Sequence, residues 1–208
     1  MNKYIVEFIG TFFLVLTIGC AAVLGHAGNL APLAIGSALM VMIFAGGHIS
    51  GAHYNPAVSL AVFLRGKCPL ADVGPYMIAQ VAGAALAAAV VLFLGGNADP
   101  PPLKLVVAKA LLAELLYTFA LATVVLNVAT AKGTSGNSFY GLAIGFTVLA
   151  GAFAVGEISG GVFNPAVAIG LVIMKKMAVA NIWIYLLANF VGGALAAFVF
   201  KTLNPGDK

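Results

Sequence analysis

Two asparagines, each followed by proline and alanine, are the residues best equipped to act on another molecule: Asn55-Pro56-Ala57 and Asn164-Pro165-Ala166. A carboxamide offers two N–H donors and an acceptor oxygen with no net charge. Its chemistry is hydrogen bonding to neutral polar molecules. Groups for proton transfer are few. Glu7 and Glu114 lie inside apolar runs, where a carboxylate is expensive unless polar groups meet it. His48, His53 and Glu157 stand close to the asparagines in sequence. Neither histidine has an evident serine and aspartate constellation, so an intramembrane enzyme is not indicated. Cys20 and Cys68 lack metal-ligand neighbours, and no Cys or acidic partner stands at ligand spacing from the histidines. No metal or cofactor is implied.

The elements around the asparagines come in duplicate. The tripeptides are 109 residues apart, and the same shift aligns Gly36 with Gly145, His48 with Glu157, Ser50 with Ser159, Tyr76 with Tyr185 and Gly83 with Gly192. A shift of 107 pairs Glu7, Thr11 and Phe12 with Glu114, Thr118 and Phe119. The chain therefore reads as two homologous halves, 1–102 and 103–208, within a single domain. Between them runs Gly95 to Pro102, whose three consecutive prolines no helix can cross.

With 62% hydrophobic and 8% charged residues, and a mean hydropathy of +1.10, the chain is an integral membrane protein by composition. Six apolar stretches approach the ~20 residues needed to span a bilayer: 4–24, 32–50, 71–94, 105–129, 139–157 and 179–202. They are continuously apolar, which argues against a β-barrel. Three spans per half is an odd number, so the second half must enter from the opposite side, as an inverted repeat. The net charge of +4 comes from loop lysines that mark topology, not a nucleic-acid surface. With the N-terminus inside, Lys3, Arg65, Lys67, Lys132, Lys201 and Lys208 fall on the cytoplasmic side. Lys104, Lys109, Lys175 and Lys176 fall outside. Both termini are thus expected in the cytoplasm. No targeting extension precedes Tyr4, so the expected location is a prokaryotic-type inner (plasma) membrane. Lys3 and the apolar run after it mimic a signal peptide, but Glu7 and its repeat partner Glu114 argue against cleavage.

Two shorter apolar pieces remain, at about 55–64 and 164–174. Asn suits a helix N-cap and Pro the first helical position, so a helix should begin at each motif. Ten residues make about 15 Å, half the hydrocarbon thickness. Each half-helix must therefore enter, stop near the midplane and return as irregular backbone, through 47–54 and 156–163. Such backbone survives only when buried in protein or lining a water-filled cavity. By inversion the two half-helices meet N-terminus to N-terminus, their positive ends of roughly +0.5 charge pointing at one place. If each asparagine oxygen caps its own helix, its NH₂ group is left to donate into a lumen that repels cations.

These features resemble the aquaporin (major intrinsic protein) family along the chain from Tyr4 to Thr202. The stretch from Gly47 through His48, Ser50 and Asn55 to Val58 looks like its first signature, and Ser159 to Ala166 like its second. The resemblance implies an all-α membrane protein of six transmembrane helices plus two re-entrant half-helices, one pore per subunit, a homotetramer, and passive passage of water or small neutral solutes. It also implies that Glu7 and Glu114 brace the irregular loops and that His48 lines the cytoplasmic mouth or caps loop carbonyls. Glu157 has two open readings, an acceptor for loop N–H groups or an outer charge that attracts ammonium. Water-selective members carry an arginine after the second signature; here Val167 stands in its place. With Ile35, Ala152 and Gly161 at the other filter positions, the expected constriction is wide, apolar and without side-chain donors. Water, ammonia, hydrogen peroxide, urea and glycerol are its expected solutes. The competing reading is a coupled secondary transporter, a class also built from inverted repeats with broken helices.

Overall fold

A computed structural model describes residues 1–95 and 102–207. Most of the proline break expected between the halves, and Lys208, lie outside the described residues. The described chain forms eight α-helices. In order they are α1 (Asn2–Ile18), α2 (Ala31–Ser50), α3 (Pro56–Arg65), α4 (Leu70–Gly95), α5 (Val107–Val125), α6 (Tyr140–Ser159), α7 (Pro165–Ile173) and α8 (Ile182–Leu203). Both α1 and α5 run on into a five-residue π-helical turn, Gly19–Val23 and Leu126–Thr130. Six elements are long and apolar enough to cross a membrane: Asn2–Val23, Gly28–Ser50, Leu70–Gly95, Val107–Thr130, Tyr140–Ser159 and Val179–Leu203. The protein is thus an integral, multi-pass membrane protein. The two short helices, α3 and α7, are ten and nine residues long.

Glycine permits the close packing, in matched pairs. Helices α1 and α4 approach so tightly that a Cβ on Gly83 would collide with the carbonyl oxygen of Phe8. Its counterpart on Gly192 of α8 would lie 2.7 Å from the carbonyl oxygen of Leu115 on α5. Between α2 and α6, Gly36 and Gly145 each leave room for the other's carbonyl oxygen. In lipid, where apolar burial does not drive helices together, such small-residue contacts hold a bundle.

One face gathers the chain start, the C-terminal end of α3 and the end of the chain. Lys3 and Tyr4 bond the Asp72 carboxylate at 2.6 and 2.8 Å, and Arg65 bonds Asp207 at 2.6 Å. On the opposite face, beyond α7, the Leu103 N–H donates to the Lys176 carbonyl. The short helices therefore run outward from the middle of the molecule to opposite faces.

The irregular backbone is shorter than the expected 47–54 and 156–163. Helix α2 continues through Gly46, Gly47 and His48 to Ser50, and α6 through Gly156 to Ser159. Gly51 (φ 84°) and Gly160 (φ 93°) then stop them in the left-handed region. Gly46 is helical because it makes room: a Cβ there would overlap the Tyr54 hydroxyl.

Candidate functional site: the lumen between the half-helices

Each asparagine caps its own helix. Asn55 Oδ1 accepts from the N–H groups of Ala57 (2.9 Å) and Val58 (3.4 Å). Asn164 Oδ1 accepts from those of Ala166 (2.9 Å) and Val167 (3.5 Å). Pro56 and Pro165 occupy the first helical position, where no N–H is needed.

The NH₂ groups are not both fully available, as the sequence suggested. Asn55 Nδ2 donates to the Phe163 carbonyl at 2.8 Å, and Asn164 Nδ2 donates to the Tyr54 carbonyl at 2.9 Å. One N–H of each amide thus ties the two loops together across the middle, leaving one on each for the lumen. Tyr54 and Phe163 both sit at φ 49°, a left-handed conformation costly for aromatic residues. The cross-links lie at these two strained residues, whose carbonyls receive them.

Two carboxylates hold the strained loops. Glu7 accepts from Ser50 Oγ (2.7 Å), the His53 N–H (2.9 Å), the Tyr54 N–H (2.7 Å) and Gln80 Nε2 (2.8 Å). Glu114 accepts from Ser159 Oγ (2.7 Å), the Val162 N–H (2.9 Å), the Phe163 N–H (2.7 Å) and Asn189 Nδ2 (3.0 Å). Both are fully buried. An ionised carboxylate is acceptor-only, so four donors each is a coherent set. Above each loop a tyrosine hydroxyl closes the helix end: Tyr76 to the Ser50 carbonyl, Tyr185 to that of Ser159. Gln80 and Asn189 escaped sequence reading. The 109-residue shift pairs them, but their side chains differ in type, so a search for identities passes over them.

A cavity of about 260 Å³ runs beside the asparagines, from Ile43 and Val125 in the half nearer the chain termini to Leu103 and Lys176 near the opposite face. Ile35, Ala152, Gly161 and Val167 all line it, as do Asn55 and Asn164. Neither Glu7 nor Glu114 does. His53 bonds Ser59 through Nδ1 at 3.0 Å and also lines this cavity. His48 lies elsewhere. It is exposed on the last turn of α2 and lines a separate bowl of about 550 Å³ on the termini face, with Gly47, Gly51, Lys67, Lys132 and Tyr140. Glu157 is exposed, and the loop N–H groups it could have served are taken by Glu114. The loop-acceptor reading of Glu157 is therefore set aside. Among the described residues no His, Cys, Asp and Glu group is arranged to hold a metal.

The family model for the major intrinsic protein matches residues 1–200. The chain belongs to the major intrinsic protein family. Among its relatives, a Lactiplantibacillus plantarum protein named glycerol uptake facilitator protein-like 6 is 37% identical over the full length of both chains. Aquaporin NIP1-1 of Arabidopsis thaliana is also 37% identical, over all of this chain and 75% of its own. Among solved structures, the aquaglyceroporin from Plasmodium falciparum superposes with a TM-score of 0.84 at 25% identity, covering 98% of this chain and 96% of that one.

Proposed function

We propose that this passive channel for water and small solutes conducts along the lumen between Asn55 and Asn164. Its solutes are water and neutral molecules up to the size of glycerol, with ammonia, hydrogen peroxide and urea included. The supporting observation is the character of the cavity: mostly apolar walls, two amide side chains at the meeting point of two helix N-termini with His53 beside them, Lys176 at the outer end, and no carboxylate in the lining. A neutral solute finds a free N–H on each asparagine. A cation meets two positive helix ends and no counter-charge.

In this reading Ile35, Ala152, Gly161 and Val167 form the outer constriction, which lacks any side-chain donor. A ring of that kind admits solutes larger than water but offers polar ones little in exchange for lost hydration. The relative named for glycerol uptake supports the solute class. The division at 102/103 into two inverted halves, a homotetramer with one pore per subunit, cytoplasmic termini and a prokaryotic-type inner membrane complete the proposal. A coupled transporter is the weaker reading. It would require an ionisable group in the solute path that is free to exchange protons, whereas Glu7 and Glu114 stand behind the loops with four donors each, and His53, which does line the cavity, is tied through Nδ1 to Ser59.

The test is stopped-flow light scattering on proteoliposomes with water, glycerol, urea and ammonia in one preparation. Glycerol and urea fluxes well above those of empty vesicles are expected. Vesicles that pass water and exclude every other solute would overturn the reading of the filter.

A further inference from the structure

The inverted repeat gives every lumen position a counterpart at the other end. The 109-residue shift carries Ile35 to Ile144, Val58 to Val167, Ile43 to Ala152 and Ala52 to Gly161. The proposed outer ring, Ile35, Ala152, Gly161 and Val167, thus has a mirror ring on the termini side: Ile144, Ile43, Ala52 and Val58. All eight residues line the same cavity. Two positions are the same residue in both rings. The other two are larger in the mirror ring, Ile for Ala and Ala for Gly, which adds four carbon atoms around a similar circumference.

We infer that this mirror ring, and not the outer one, sets the largest solute that passes. Two observations besides side-chain size support it. Where the cavity continues and where it stops is the first. On the outer side it extends past Val167 and Ala152 to Leu103 and Lys176 without interruption. Toward the termini face its lining reaches no further than the mirror ring, and the residues beyond line the bowl instead. That bowl begins one helical turn further on, at Gly47 after Ile43 and at Tyr140 before Ile144, and at Gly51 beside Ala52. The second is access to a water-sized sphere. Ile43, Ala52, Val58 and Ile144 are 2, 6, 2 and 5% exposed; in the outer ring Ile35 and Val167 are buried too, at 9 and 2%, and the difference lies at Ala152 and Gly161, which are only partly buried.

The mirror ring is also pre-set by backbone. Ala52 holds φ 51°, a conformation its counterpart Gly161 adopts at φ 62° without a side chain. Alanine there accepts strain while placing a methyl group at the ring. The inference rests on the channel reading above and refines it: the arginine-less outer ring discriminates weakly, and selection by size falls to four apolar residues on the other side of the asparagines.

The test compares glycerol and water permeability in proteoliposomes for wild type, Ile43→Ala/Ala52→Gly and Ile35→Ala. The double variant gives the mirror ring the composition of the outer one. Its glycerol-to-water ratio should rise at least about threefold, a barrier change of roughly 0.7 kcal/mol, and by more than in Ile35→Ala. An unchanged ratio in a double variant that still conducts water, or a larger rise in Ile35→Ala, would overturn the inference. Should the double variant fail to fold, Ile43→Val removes a single methyl group, and the same comparison holds with a smaller rise. A wild type no more permeable than empty vesicles would instead defeat the channel reading itself.

Discussion

The two asparagine loops are near copies in everything that sets backbone geometry, and they differ in what surrounds that geometry. Each has an Asn cap, a left-handed aromatic residue before it and a buried glutamate accepting four donors. Beyond that they part. Tyr54 anchors its hydroxyl on the Met42 carbonyl, whereas Phe163 stacks on Tyr117 at 5.3 Å. Helix α3 ends in Arg65, bonded to Thr130 and Asp207 and lying over the Phe200 ring; at the end of helix α7 the matching position is Met174, an apolar side chain with no such anchor. The lesson is a division of labour. Features that hold two helix ends in register are duplicated, while lumen lining and mouths are free to diverge.

The largest expected effect comes from breaking a duplicated feature. Glu7→Ala or Glu114→Ala orphans four buried donors, each costing about 1–3 kcal/mol. Together they rival the ~5–15 kcal/mol net stability of a domain. Both variants should lose folded, monodisperse protein to a similar extent in detergent size-exclusion and thermal melts. A severe loss in one half alone would show that the braces are not equivalent.

Next is a change at a diverged position. Val167→Arg places a long cation in the outer ring and should reduce glycerol and urea flux sharply, with water flux less affected. Equal losses for water and glycerol would mean a blocked pore instead of a sharpened filter.

Smaller again is the matched helix packing. Gly83→Ala and Gly192→Ala each push a methyl group into a backbone carbonyl across the α1–α4 or α5–α8 contact. Each should cost about 1–3 kcal/mol, read as comparable falls in melting temperature.

The smallest effect lies at the unduplicated end of α3. The Lys132 N–H, at 2.7 Å, and then the nearby Arg65 hold the Asp207 carboxyl below the ordinary carboxylate range. A lowered folded-state pKa means that the contribution is present above the ordinary value and is lost as pH falls through the lowered one. Asp207→Asn should therefore melt slightly below wild type at neutral pH. The gap should close in acid below about pH 4. A gap that persists undiminished at pH 3 would remove the carboxylate from the account.

Much of this architecture was legible in the sequence because lipid imposes simple rules. Six apolar runs marked the spans to within a few residues, and Asn-Pro marked the starts of α3 and α7. The far ends of the loops were not legible. Gly47 and Gly156 read as irregular backbone, yet they are helical and serve packing or leave space. Glycine alone does not distinguish a close approach from a turn. The cross-links from Asn55 to Phe163 and from Asn164 to Tyr54 join residues more than a hundred apart, so only the folded chain reveals them. Nothing in the sequence marks His53 as lumen-facing; its place beside the asparagines follows from the way the loop turns at Ala52 and Tyr54.

The central claim is that solute moves passively between the two asparagines. Its most direct measurement is glycerol flux into wild-type proteoliposomes across a wide concentration range, with and without a proton gradient. Flux that rises linearly with concentration and ignores the gradient is the expected result; flux that saturates at low concentration or follows the gradient would contradict it.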